Sequence, residues 1–193
     1  MSTTPCSHHA HESSHDAPPQ APSGCSSKDP FARLNACHQH VLSVLGELES
    51  AVAELTEGQP LTQRALAAVG DTLVITQIAI PLHSADEEQT LFPRLRECAP
   101  FSQGGVTPMD CMEEDHVAHR EMAAGLARAT LARDPLALQR AARNMVAEYR
   151  DHISKEDEIL FPMARELLRD PAVLAEMTAE MHARRVDAKL VNC

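Results

Sequence analysis

The chain has 193 residues, a formal charge of −11 from 17 basic and 28 acidic side chains, and 44% hydrophobic content. One globular domain is the default for that size and composition, and the acidic balance argues against nucleic acid or an anionic membrane surface as partner. The apolar residues are mainly Ala, Leu, Val and Met, with one Tyr and no Trp, which suits helices better than sheets.

Residues 1–28 are rich in Pro, Ser and His and poor in groups that could pack, so a disordered tail is expected there. It holds His8, His9, His11 and His15 with Cys6 and Cys25, a composition compatible with a solvated leader or with a metal-scavenging tract. No apolar run approaches the roughly 20 residues that span a bilayer, and the N-terminus lacks the apolar segment of a secretory signal. The expected location is therefore the cytoplasm, with the six cysteines as thiols. None of them forms a Cys-x2-Cys pair, so no zinc ribbon or thioredoxin-type motif is indicated.

After Asp29-Pro30 the pattern turns helical. Leu34, His38, Val41, Leu42, Leu45, Leu48 and Val52 recur at spacings of three and four and mark one buried stripe, which Gly58-Gln59-Pro60 ends. A second helical region spans about 61–98, with Gly70 as a candidate break and Pro81 as a candidate kink. Residues 101–107 include Gly104-Gly105 and read as a loop, and a third helix spans 108–132. Asp134-Pro135 starts a fourth helix to about Leu168, and Asp170-Pro171 starts a short last one to about Asp187. The expected organisation is a tail over 1–28, a helical bundle over 29–168, and a C-terminal helix and tail over 169–193.

One phrase occurs twice. His83-Ser84-Ala85-Asp86-Glu87-Glu88 with Leu91-Phe92-Pro93 is echoed by His152-Ile153-Ser154-Lys155-Glu156-Asp157 with Leu160-Phe161-Pro162. On a helix, residues four apart share a face, so each copy aims an imidazole and a carboxylate the same way. His38 sits in the apolar stripe of the first helix, and His116 is in phase with Met109 and Met112 on the third. A buried imidazole needs partners for its nitrogens. The order is then His, His-x3-Glu, His, His-x3-Glu. Four imidazoles and two bridging carboxylates suit two iron ions joined by an oxo or hydroxo group, with open positions for a small diatomic. His119 is a possible extra ligand and Tyr149, three before His152, a possible neighbour of the metals. Glu88 and Asp157 are read as surface acids or outer partners.

These residues, together with Leu34-Asn35-Ala36-Cys37-His38 and Glu114-Asp115-His116-Val117-Ala118-His119-Arg120, resemble the bacterial hemerythrin-like HHE cation-binding domains over about 31–168. The resemblance implies an all-α, up-down four-helix bundle around a di-iron centre held by His38, His83, Glu87, His116, His152 and Glu156. Oxygen-carrying members have a second His four after the third-helix His, where this chain has Arg120. They also have an Asp five after the fourth-helix His, where this chain has Glu156 at four. That places the chain nearer to members with four His and two Glu. The implied functions are binding of oxygen or nitric oxide for sensing, storage or detoxification. Alternatives are nitric oxide or peroxide reduction, ferroxidase activity, iron–sulfur cluster repair, or metal handling through the His-rich tail.

Overall fold

The computed structural model describes residues 29–189, and no β-strand occurs among them. The His-rich stretch at 1–28 and the residues after 189 lie outside the described residues. In chain order the helices are α1 (Pro30–Ala53), α2 (Gln63–Gln77), α3 (Ala79–Asp86), α4 (Phe92–Glu97), α5 (Pro108–Leu131), α6 (Pro135–Lys155), α7 (Phe161–Leu167) and α8 (Pro171–Asp187). Two π-helical turns, Glu87–Leu91 and Glu156–Leu160, join α3 to α4 and α6 to α7.

The long helices begin where the sequence supplies a side-chain acceptor followed by Pro. Asp29, Thr107, Asp134 and Asp170 each accept a hydrogen bond from a backbone N–H of the first turn. Thr107 and Asp110 complete a reciprocal capping box. The expected break at Gly70 does not occur, since Gly70 lies inside α2. The chain breaks instead at Ile78, whose φ of −121° and ψ of −66° leave the helical region. Pro81 is the cause, because its ring would collide with the carbonyl four residues back, at Gln77.

α1, α2, α5 and α6 form the ring of the bundle, each packed against its neighbours in the order α1–α2–α5–α6–α1. This is the all-α up-down bundle. Leu45, Leu48, Val52, Val69, Leu126, Leu138 and Met145 fill the end of the bundle away from α8. Phe31, Leu91, Phe92, Met109, Leu160 and Phe161 fill the other end, where Met177 and Met181 of α8 are also fully buried. The histidines and glutamates lie between the two apolar clusters.

One expectation is corrected. Taken across its break at Ile78, the helical stretch Gln63–Glu97 contains a window of mean hydropathy 1.7, so its length and apolarity do reach those of a bilayer-spanning helix. Its apolar residues are divided between a core face with Ala65, Ala68, Val69 and Ile75 and an outer face with Leu66, Val74 and Ile78.

Candidate metal centre

His83 on α3 and Glu87 at the start of the following π turn point into the bundle, as do His152 on α6 and Glu156 at the start of the π turn after it. Glu87 and Glu156 are wholly buried, and His38, His83, His116 and His152 are nearly so. The six side chains meet in two groups that share a carboxylate. His38, His83, Glu87 and Glu156 offer ligand atoms within 4.8 Å of one another, as do His116, His152 and Glu156.

Each carboxylate divides its oxygens between the two groups. Glu87 places Oε1 3.4 Å from His83 Nε2 and Oε2 3.3 Å from His116 Nε2. Glu156 places Oε2 3.0 Å from His38 Nε2 and Oε1 3.3 Å from His152 Nε2. His38 Nε2 and His83 Nε2 are 2.9 Å apart. Two nitrogens each about 2.1 Å from one ion and at right angles would be about 3.0 Å apart.

All four carboxylate oxygens and His116 Nε2 are buried without a hydrogen-bond partner. Two ionised carboxylates left so in a protein interior would be prohibitively costly. A cation between them removes that cost, so the donor set fits a pair of metal ions. In the metal-free chain the imidazoles serve as the counter-charge. Burial opposes protonation of His83, but the Glu87 carboxylate together with Cys37 and Glu156 outweighs it and raises the pKa well above the ordinary value. His38 and His116 are likewise raised despite burial, His38 through Asp157 and Glu156 and His116 through Glu87 and Glu88. Burial would raise the Glu87 pKa, yet the charge on His83 and the close approach of His116 bring it well below the usual carboxylate range.

The outward nitrogens are held by acids. His38 Nδ1 is 2.7 Å from Asp157 Oδ1, His116 Nδ1 is 2.7 Å from Glu88 Oε1, and His152 Nδ1 is 3.3 Å from Asp115 Oδ2. Carboxylates in this position select the tautomer that presents Nε2 to the centre. Phe161 stacks on His38 with centroids 5.4 Å apart, and Phe92 on His116 at 6.4 Å, both within 8° of parallel. The Phe of each Leu-Phe-Pro thus braces the lone histidine from the opposite half of the chain.

The π turns make these contacts possible. Phe92 N–H and Phe161 N–H donate to the carbonyls of Glu87 and Glu156, five residues back. The wider turn keeps the glutamate and the Leu-Phe pair on the buried side and swings Glu88 and Asp157 toward the neighbouring helix. Turns of this kind are frequent at functional sites. The sequence named Glu88 and Asp157 as possible outer partners. It missed Asp115, whose only signal is its place immediately before His116.

His119 is 3% exposed but belongs to neither ligand group. It stacks on Tyr149 with centroids 3.8 Å apart, and its pKa is lowered to about 3 by burial and by the neighbouring His152 and His116. His40 and His182 are exposed, and Lys155 pairs with Asp151 at the surface. Cys98 and Cys111 are free thiols.

A cavity of about 20 Å³ is lined by His38, His83, His116 and His152 and closed by His119, Tyr149 and the apolar side chains of Val41, Ile80 and Ile153. A cavity of about 210 Å³ next to it shares Ile80, Ser84, His116, His119 and Tyr149 and extends to Arg120 and Gln89.

A family model described as the hemerythrin HHE cation binding domain matches residues 29–164, and again residues 112–188. The chain belongs to the hemerythrin family. Among curated proteins no relative matches it. The second match takes in the last helix of this hemerythrin domain, in keeping with the burial of Met177 and Met181.

Proposed function

We propose that this hemerythrin-family chain holds two iron ions through His38, His83, Glu87, His116, His152 and Glu156, and binds oxygen or nitric oxide there for sensing, storage or detoxification. The observation that carries the ligand class is the 20 Å³ cavity lined by the four imidazoles. A water needs about 10–15 Å³ measured in this way, so there is room for a molecule of about that size, and the adjoining cavity of about 210 Å³ shares five of its walls. Mixed imidazole and carboxylate donors suit iron, and bridging carboxylates suit a two-metal site. When bound, iron would supply the reversible change of oxidation state and the open coordination that a diatomic needs.

The chain's own groups shape what enters. Val41, Ile80 and Ile153 present an apolar wall that disfavours ions. His119 remains neutral and adds no charge. Glu88, Asp157 and Asp115 hold three imidazoles in register, so ligand entry requires no rearrangement of the donors.

A second reading, turnover of nitric oxide or peroxide, is favoured by Tyr149. Its phenol is buried at the cavity wall, makes no hydrogen bond among the described residues, and is held protonated by burial. A phenol so placed is a candidate source of a proton or an electron.

His83→Ala and Glu156→Ala are each expected to lose much of the iron and the near-ultraviolet absorption of the oxidised protein. Retention of two irons and an unchanged spectrum in both variants would falsify the assignment. A stable adduct with oxygen or nitric oxide supports binding. Many turnovers of either nitric oxide or peroxide per chain support the second reading.

A further inference from the structure

The six inward groups obey an approximate two-fold relation between the halves of the chain, and so do nearly all their supports. His38 corresponds to His116, His83 to His152, and Glu87 to Glu156. Asp157 and Glu88 each hold the lone histidine of the other half. Phe161 and Phe92 each stack on that same histidine. The residue immediately before the lone histidine serves the paired histidine of its own half: Asp115 holds His152 Nδ1 at 3.3 Å. The residue in the corresponding place of the first half is Cys37.

The relation fails at this one position. The Cys37 thiol lies beside the His83 ring and interacts with it weakly, but no hydrogen bond of ordinary geometry reaches the buried His83 Nδ1. A thiol is a weak donor and a weak acceptor, whereas a carboxylate accepts strongly. His83 is therefore the only one of the four imidazoles whose outward nitrogen no acid holds.

We infer that Cys37 is a positioning residue that makes the two metal positions unequal, so that the ion between His38 and His83 is held more weakly than the ion between His116 and His152. The inference rests on the six-group reading above. A carboxylate on Nδ1 selects the tautomer with a free Nε2 lone pair and makes that nitrogen a stronger donor, and losing such a partner weakens metal binding about 10–100-fold. His83 lacks that help while His152 has it. One ion is then retained and the other exchanges more readily, which is a means of sensing available metal or of leaving one position open to change.

The test is anaerobic titration of the full metal-free chain with cobalt(II), followed by its visible absorption. The wild type is expected to fill in two steps with affinities about 10–100-fold apart. Cys37→Asp should tighten the weak step and bring the two together. Asp115→Ala, on a different helix, should weaken the tight step and also bring them together, so the inference does not depend on either variant alone. Two wild-type steps of equal affinity would overturn the inference while leaving the six-group reading intact. So would a weak step that Cys37→Asp does not move together with a tight step that Asp115→Ala does not move. No cobalt uptake at all would overturn both.

Discussion

Glu87 and Glu156 are buried carboxylates whose four oxygens have no hydrogen-bond partner, and their neighbours are best understood as answers to that cost. The answers come at two distances, with imidazoles around the carboxylates and a second ring of acids behind the imidazoles. Asp157 occupies that second ring, holding His38 at 2.7 Å and accepting from the Asn35 amide at 2.6 Å. Asp157→Asn replaces a charged acceptor by an amide of the same shape. It is expected to weaken metal binding about 10–100-fold with little loss of fold, read by metal titration alongside thermal unfolding. The ligand candidates were legible in the sequence because a helix repeats its face every three to four residues. His83/Glu87 and His152/Glu156 announce themselves, and His38 and His116 sit in apolar stripes. The second ring was only half legible. Glu88 and Asp157 are adjacent to marked residues, but the π turn decides where they point. Asp115 and Cys37 act across helices, where local periodicity is silent.

At the scale of the element, the start signals of the helices were plain because Asp-Pro and Thr-Pro pairs combine an acceptor with a residue that needs no N–H. Breaks within the second helical region were less so. Gly70 lacks a side chain but remains helical, while Pro81 breaks the chain at Ile78. Pro93 and Pro162 each follow a π turn that opens at the glutamate. The role of α8 was not visible in the sequence, since it packs against α1, α3 and the first π turn, all far earlier in the chain. Arg184 and Arg185 both bond Asp86, the wholly buried residue immediately before Glu87, and Arg184 also donates to Thr90 Oγ1 at 3.1 Å. Burial raises the Asp86 pKa even against the two guanidinium groups, so the cluster is held under strain of desolvation. Asp86→Ala would leave Arg185 buried without this partner. It should destabilise the protein by about 3–5 kcal/mol, measured by urea unfolding. A loss below about 1 kcal/mol would show that α8 does not anchor α3 through this contact.

For the whole molecule, protons and metal compete for the same nitrogens, and the sign of the pH dependence follows. In the metal-free chain His38, His83 and His116 have folded pKa values above the ordinary histidine value. Their contribution is fully present below about pH 6.5 and is lost as pH rises through the raised folded values. Opposing shifts do not reverse that trend: Cys37, lowered against burial by His83, is one group against three. Glu87 is lowered, so its contribution is lost only in acid, and His119, lowered to about 3, loses its contribution only below about pH 6.5. The metal-free chain should therefore become less stable from pH 6.5 upward. The metal-loaded chain should not, because metal requires the deprotonated imidazoles and binding strengthens as protons leave. Thermal unfolding across that range, with and without chelator, reads the difference, and parallel curves would mean that the histidines do not titrate as a metal site.

Anomalous diffraction at the iron edge from crystals of the iron-loaded chain locates the ions without recourse to function. Two peaks are expected between Glu87 and Glu156, one against His38 and His83 and the other against His116 and His152. A single peak, or peaks away from these six side chains, would contradict the two-metal centre.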